Sequence, residues 1–167
     1  MKLRPVLVTL ALVALGLWMG GMVALGAIAA PVVFGMVPAP WSADAMTVVF
    51  RRFDKLAVAC VIVVLAVEAA LAMLRDRKIE RLDLVRGALV TFAAAAAVYV
   101  AAVVSPRIEA LHRGGAIRGL GSAGEELNAI HQVAERAGKV ELFLAIAVIA
   151  LHIASFTRRP AAPQKRD

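Results

Sequence analysis

A chain of 167 residues that is 62% hydrophobic, with a mean hydropathy of +0.82, is not a soluble domain, since those are about half apolar and about a quarter charged. Its charged residues, 19% of the total with a net charge of +7, gather in short clusters between apolar runs, where Lys and Arg set membrane orientation and meet lipid headgroups rather than nucleic acid. The single cysteine, Cys60, excludes an intrachain disulfide and lies in an apolar run, outside any zinc-ligand spacing.

No charged residue falls between positions 5 and 43. A crossing helix needs about 20 apolar residues at about 1.5 Å each, so 5–30 is predicted as the first span. Pro31 is expected to kink or end it, because the residue before a proline is pushed out of helical geometry. Pro38, Pro40 and Trp41 read as a turn at the far interface. A cleaved secretory signal is the rival reading, with Lys2 and Arg4 before the apolar run and Ala27-Ile28-Ala29 as the cleavage site. Signal cores run about 7–15 residues, and this stretch is much longer.

Ser42 is expected to cap a second helix with Asp44 in its first turn. The helix starts along the interface, carrying Arg51 and Arg52, and its span covers 56–74 with Glu68 as the one charged residue. The charged cluster 75–78 stops it, and Arg81, Asp83 and Arg86 complete the connection. The alanine-rich third span is 87–105, closed by Pro106 and Arg107. An outward segment, 106–138, holds a glycine-rich turn and a helix beginning near Glu125 that continues into the fourth span, 139–157. The basic tail 158–167 reads as disordered. These elements make residues 1–157 one all-α domain, a four-transmembrane-helix bundle. Eleven Lys and Arg flank one side and eight the other, the eight spread over about twice as many residues. Charge density therefore predicts both termini in the cytoplasm and a multi-pass protein of the inner (cytoplasmic) membrane.

Inside the spans, ionisable residues are expensive unless satisfied, by about 3 kcal/mol on insertion scales. Glu68 and His152 both fall roughly 10 Å inside the cytoplasmic boundary by helical rise, and Thr9 and Thr91 reach a similar depth. Four helices are thus expected to contribute to one polar layer, either with Glu68 and His152 as a proton- or cation-handling pair or with Glu68 reaching toward Arg86 or Arg75 while His152 satisfies an interhelical hydrogen bond. On the outer side Asp54, Lys55, Arg107, Glu109, Lys139 and Glu141 are expected near span ends, with His112 and His131 beyond them. Gly16, Gly20 and Ala24 form a small-residue face for helix packing, against a neighbouring helix or a second copy. No nucleophile elbow, phosphate loop or His-Glu-x-x-His motif occurs, so no catalytic or metal-ligating residue is assigned. The reading favours a non-enzymatic membrane scaffold or subunit with lipid as its surroundings and a homo-oligomer through the first helix. The alternative is a small proton- or ion-coupled transport protein.

Several short motifs point to a family. Trp18-x-Gly20, Pro31 with Phe34, Phe50-x-x-Phe53, Ser105-Pro106-Arg107-Ile108 and Leu127-x-x-x-His131 together resemble the bacterial domain-of-unknown-function 4149 family, related to eukaryotic transmembrane protein 205. Where members carry a serine and an asparagine after the histidine, Ala134 and Gly138 lie nearby here. The resemblance implies a four-helix membrane protein without a settled biochemical role. A more distant similarity to copper-resistance D-like and haem-associated membrane proteins adds a third class, a copper or haem redox protein drawing on His131, His152, Met19 and Met22. No cofactor is predicted, and no histidine stands in the first helix to ligate haem.

Overall fold

The computed structural model describes residues 3–74 and 80–157. The charged cluster 75–78 and the basic tail 158–167 lie outside the described residues. The described residues form four long helices: α1 (Leu3–Met36), α2 (Trp41–Met73), α3 (Arg81–Arg113) and α4 (Gly121–Thr157). Each is long and apolar enough to cross a membrane. At about 1.5 Å per residue each is roughly 50 Å long, against about 30 Å of hydrocarbon.

The helices pack in ring order, α1 on α2, α2 on α3, α3 on α4 and α4 back on α1. Sequence spacing explains which face turns inward. On α1 the buried residues are Val8, Ala11, Ala14, Leu15 and Trp18, a single stripe at three- and four-residue intervals. Val6, Leu10, Val13 and Leu17, on the other faces, are exposed and equally apolar. A helix that is apolar all round, with only one stripe packed on protein, is built to meet lipid on the rest. Near the termini Val8 and Ala11 meet Val67 and Leu71 of α2. The main core lies further in, around Leu15, Cys60, Val64, Val90, Ala93, Ala145 and Val148.

The helix does not end at either proline. Both helices run on, and each contains a π-helical stretch just before its proline: Ala24–Ala29 ahead of Pro31, and Val100–Val104 ahead of Pro106. A proline ring collides with the carbonyl four residues back and offers no N–H. Widening the preceding turn moves that carbonyl away, and so the helix continues. The outward segment is accordingly helical through Arg113, and α4 begins at Gly121 rather than near Glu125. Between them Gly115, Gly119 and Gly121 take positive φ, and a side chain at Gly124 would collide with the Ile117 carbonyl. At the start of α2, Pro40 occupies the N-cap position without a side-chain cap, and Ser42 is buried within the first turn. The start of α3 is held by a capping box between Glu80 and Asp83.

The glycines of α1 divide in two. Gly16, Gly20 and Ala24 are exposed, and nothing lies within 4 Å of a Cβ placed on Gly16 or Gly20. Gly21 instead receives the ring of Phe53 from α2, which a Cβ would strike. Gly21→Leu should therefore destabilise the bundle by about 1–3 kcal/mol through overpacking, while Gly16→Leu leaves it unchanged. Buried Cys60 supplies the readout: maleimide labelling on heating in mild detergent should begin at a lower temperature in Gly21→Leu only.

Candidate functional site

The buried stripe of α4 runs Glu141, Ala145, Val148, His152, at intervals of four, three and four. Two ionisable residues thus occupy core positions at either end of an apolar stretch. The same pattern places Asp54 and Glu68 on the inner side of α2, and Arg86 four residues before Val90 on α3. The outcome is two polar centres inside the bundle.

The centre nearer the termini joins three helices. Arg86 Nε donates to both carboxylate oxygens of Glu68, at 2.9 and 3.0 Å. Arg86 also stands 3.7 Å from Asp83 one turn earlier. His152 is completely buried, and its Nε2 lies 3.0 Å from Glu68 Oε1. That contact is off the line of the ring N–H, and neither ring nitrogen completes an aligned hydrogen bond. Glu68 therefore has its charge met by a guanidinium through the stronger class of hydrogen bond, and an imidazole rests against one of its oxygens. Thr9 and Thr91 stay out of this centre: both are exposed, and the Thr91 hydroxyl donates to the Gly87 carbonyl of its own helix at 2.9 Å.

The second centre lies about 16–21 Å further along the bundle by helical rise. All four helices supply it. Asp54 of α2 lies beside Ser105 of α3, and Glu141 of α4 lies beside the Trp18 indole of α1. Trp18 Nε1, Asp54 Oδ2 and Glu141 Oε1 are all buried without a hydrogen-bond partner, a condition most buried polar atoms avoid. Between the two centres sits a small cavity lined by Leu15, Trp18, Val64, Val90, Ala145 and Val148 among others, all apolar.

The other candidates on this side disperse. Arg51 stands 3.7 Å from Asp54 and 3.4 Å from Glu109, and donates at 2.9 Å to the Ala101 carbonyl. That carbonyl lies in the π-helical stretch, which offers acceptors away from the regular ladder. Arg113 pairs with Glu109. Exposed Arg107 ties α3 to Glu126 of α4, donating at 2.6 Å, and Arg118 donates to Asn128 at 2.8 Å. His131 packs edge-on against His112, ring centres 5.9 Å apart. Lys55 and Lys139 are exposed. Met19 and Met22 pack against the main core, and His131 and His152 are about 30 Å apart along α4 by helical rise. These four do not converge into a ligand set for copper or haem. Among the described residues no three His, Cys, Asp or Glu side chains cluster to hold a metal.

A family model described as a domain of unknown function (DUF4149) matches residues 13–116, more than half of the chain. The chain belongs to that family. No curated protein and no solved structure gives a significant match. The DUF4149 match takes in most of α1 and all of α2 and α3, so it includes Trp18, Asp54, Glu68, Arg86 and Ser105. Glu141 and His152, the α4 partners of the two centres, lie beyond it.

Asp83 enters the inner centre without having been singled out in the sequence, Trp18 and Ser105 stood there only in the family motifs, and Arg86 is the partner expected, with Arg75 as the alternative, for Glu68. Arg86 reads as part of a charged connection, yet its place on the stripe with Val90, Ala93 and Ala97 was available as a signal. If the Arg86–Glu68 pair compensates two buried charges, Arg86→Gln should destabilise by about 3–5 kcal/mol by leaving a carboxylate unpaired. Thr91→Val, which removes a bond within one helix, should change stability by less than about 1 kcal/mol. Thermal unfolding of both variants in the same detergent checks the contrast.

Proposed function

We propose that this DUF4149 protein is a small proton-handling membrane protein, a subunit rather than an enzyme, with Glu68 and His152 at its working centre. One observation carries the reading. A completely buried imidazole lies 3.0 Å from a carboxylate already paired with Arg86. Helix joining alone is served by the Glu68–Arg86 pair. The histidine adds an imidazole, a side chain able to carry a proton, directly against the same carboxylate. Intramembrane ionisable residues in such settings mark proton relays. The proposed placement is the inner membrane with both termini in the cytoplasm, so that the centre lies near the cytoplasmic face.

A second observation favours self-association. Gly16, Gly20 and Ala24 have no partner within the bundle and face outward, which suits close approach of a second α1. Four helices alone enclose little room for a transported ion, and a dimer through this face would supply a larger framework.

The test is proton flux into liposomes carrying a pH-sensitive dye, with the protein reconstituted at a fixed lipid ratio. Wild-type protein should conduct under an imposed gradient, and Glu68→Gln and His152→Gln should both abolish the flux while keeping Cys60 protected from labelling. Absence of flux in wild-type vesicles, or flux that survives both substitutions, would contradict the proposal. For the second observation, Gly20→Leu should convert a cross-linked dimer to monomer in native-like membranes.

A further inference from the structure

A groove of about 310 Å³ opens to the surface between α2 and α3, lined by Arg51, Asp54, Lys55, Val58 and Ala101. Its place along the bundle follows from helix length. Asp54 stands 19 residues before Met73, where α2 ends, which is roughly 28 Å by helical rise and so about one hydrocarbon thickness. With the end of α2 at one membrane boundary, the groove lies at the other, level with the lipid headgroups. The lining is graded to match. Along α2 it passes from Arg51 and Lys55 to Val58 in the direction of the bilayer interior, and exposed Ile62, one turn on, extends the apolar part. On α3, exposed Val98 extends it in the same direction from Ala101.

The two cations differ in how they are held. Arg51 Nη1 donates to the Ala101 carbonyl at 2.9 Å, and the guanidinium stands 3.7 Å from Asp54 and 3.4 Å from Glu109. The bond to Ala101 is its one aligned hydrogen bond among the described residues, from a group with five donors. Arg51 is thus fixed in place with N–H groups to spare, and its side chain is 36% exposed. Lys55, one turn on, is exposed and forms no ion pair among the described residues. Arg51, Lys55 and Arg113 set three positive charges against Asp54 and Glu109, which leaves one in excess. A phosphate diester carries one negative charge, and its oxygens accept from a guanidinium fork and from an ammonium alike.

We propose that this groove binds one anionic phospholipid of the membrane, its phosphate between Arg51 and Lys55 and an acyl chain along Val58, Ala101 and Ile62. Asp54 and the Ala101 carbonyl are positioning groups that hold the guanidinium at the mouth. A zwitterionic headgroup brings another positive charge to a site already in excess of it, so lipids of net negative charge are favoured. The site is independent of proton transfer at Glu68.

Native mass spectrometry of the full chain, released from mild detergent containing phosphatidylglycerol or phosphatidylcholine, tests it. Wild-type protein should retain one phosphatidylglycerol per chain, at a concentration about tenfold below that needed for phosphatidylcholine. Lys55→Ala should remove most of that preference. Arg52→Ala loses the same charge from an exposed position outside the groove, and should change retention by less than about twofold. Ala101→Phe fills the groove without altering charge, and should lower retention of both lipids while Cys60 stays protected from maleimide. Lys55 and Arg52 are both exposed, so their contrast stands whatever Ala101→Phe does to folding. No retained lipid, equal retention of the two lipids, or equal losses in Lys55→Ala and Arg52→Ala would overturn the proposal, the last in favour of diffuse attraction to a basic surface. Displacement of phosphatidylglycerol by inorganic phosphate would overturn it in favour of a soluble anion, and undiminished binding in a folded Ala101→Phe would put the lipid elsewhere.

Discussion

A carboxylate and a guanidinium inside an apolar bundle have no water to meet, and this constraint organises the molecule. Glu68 and Arg86 come from helices α2 and α3, and the Arg86 Nε–H, shared between the two carboxylate oxygens, joins them. His152 of α4 rests on the same carboxylate. Because an unpaired charge in such surroundings is worth several kcal/mol of instability, the three helices have one mutual arrangement in which all three groups are accommodated. The apolar stripes of Ala, Val and Leu fill the space around this junction but are less specific, since small aliphatic residues at similar spacing pack in several registers.

At the other end of the bundle the balance is less complete. Arg51 is divided among Asp54, Glu109 and the Ala101 carbonyl, and Glu141 faces an indole rather than a cation. The π-helical stretch before Pro106 contributes directly here: the widened turn carries the carbonyl that Arg51 binds and leads into Ser105, beside Asp54. A residue that reads as a helix breaker in sequence thus shapes a polar centre. The inner junction is a paired structure with one titratable group added, and the outer centre is a set of acids lacking a full complement of partners. Their separation by an apolar cavity makes them two sites and not one continuous path.

Much of this was legible in the sequence for a definite physical reason. Hydropathy over twenty-residue windows reports burial in lipid directly, so four spans and an all-α class follow from composition. Glu68 and His152 are visible because charge within such windows is rare and helical rise gives their depth. The span ends were less legible. Pro31 and Pro106 signal a break in isolation, but in a membrane the helix has no solvated alternative and absorbs the ring by widening. Thr9 and Thr91 match the depth of the inner centre yet point outward: depth depends on residue number alone, whereas facing depends on which stripe packs. Read by stripe, Arg86, with Val90 and Ala93 following it, and Trp18, after Ala11 and Leu15, both turn inward. Nothing in the sequence places Asp54 and Glu141, 87 positions apart, among the buried residues of the bundle, which depends on the stripe each helix turns inward.

The most direct test of the inner junction is the coupling between its two full charges. Thermal stability of Glu68→Leu, Arg86→Leu and the double variant, measured in one lipid or detergent, gives that coupling from a double-mutant cycle. If each charge is tolerated in the bundle because of the other, both single variants fall well below wild type and the double variant recovers most of the loss. Additive losses, with the double variant the least stable of the three, would show that Glu68 and Arg86 are accommodated independently and would contradict the account.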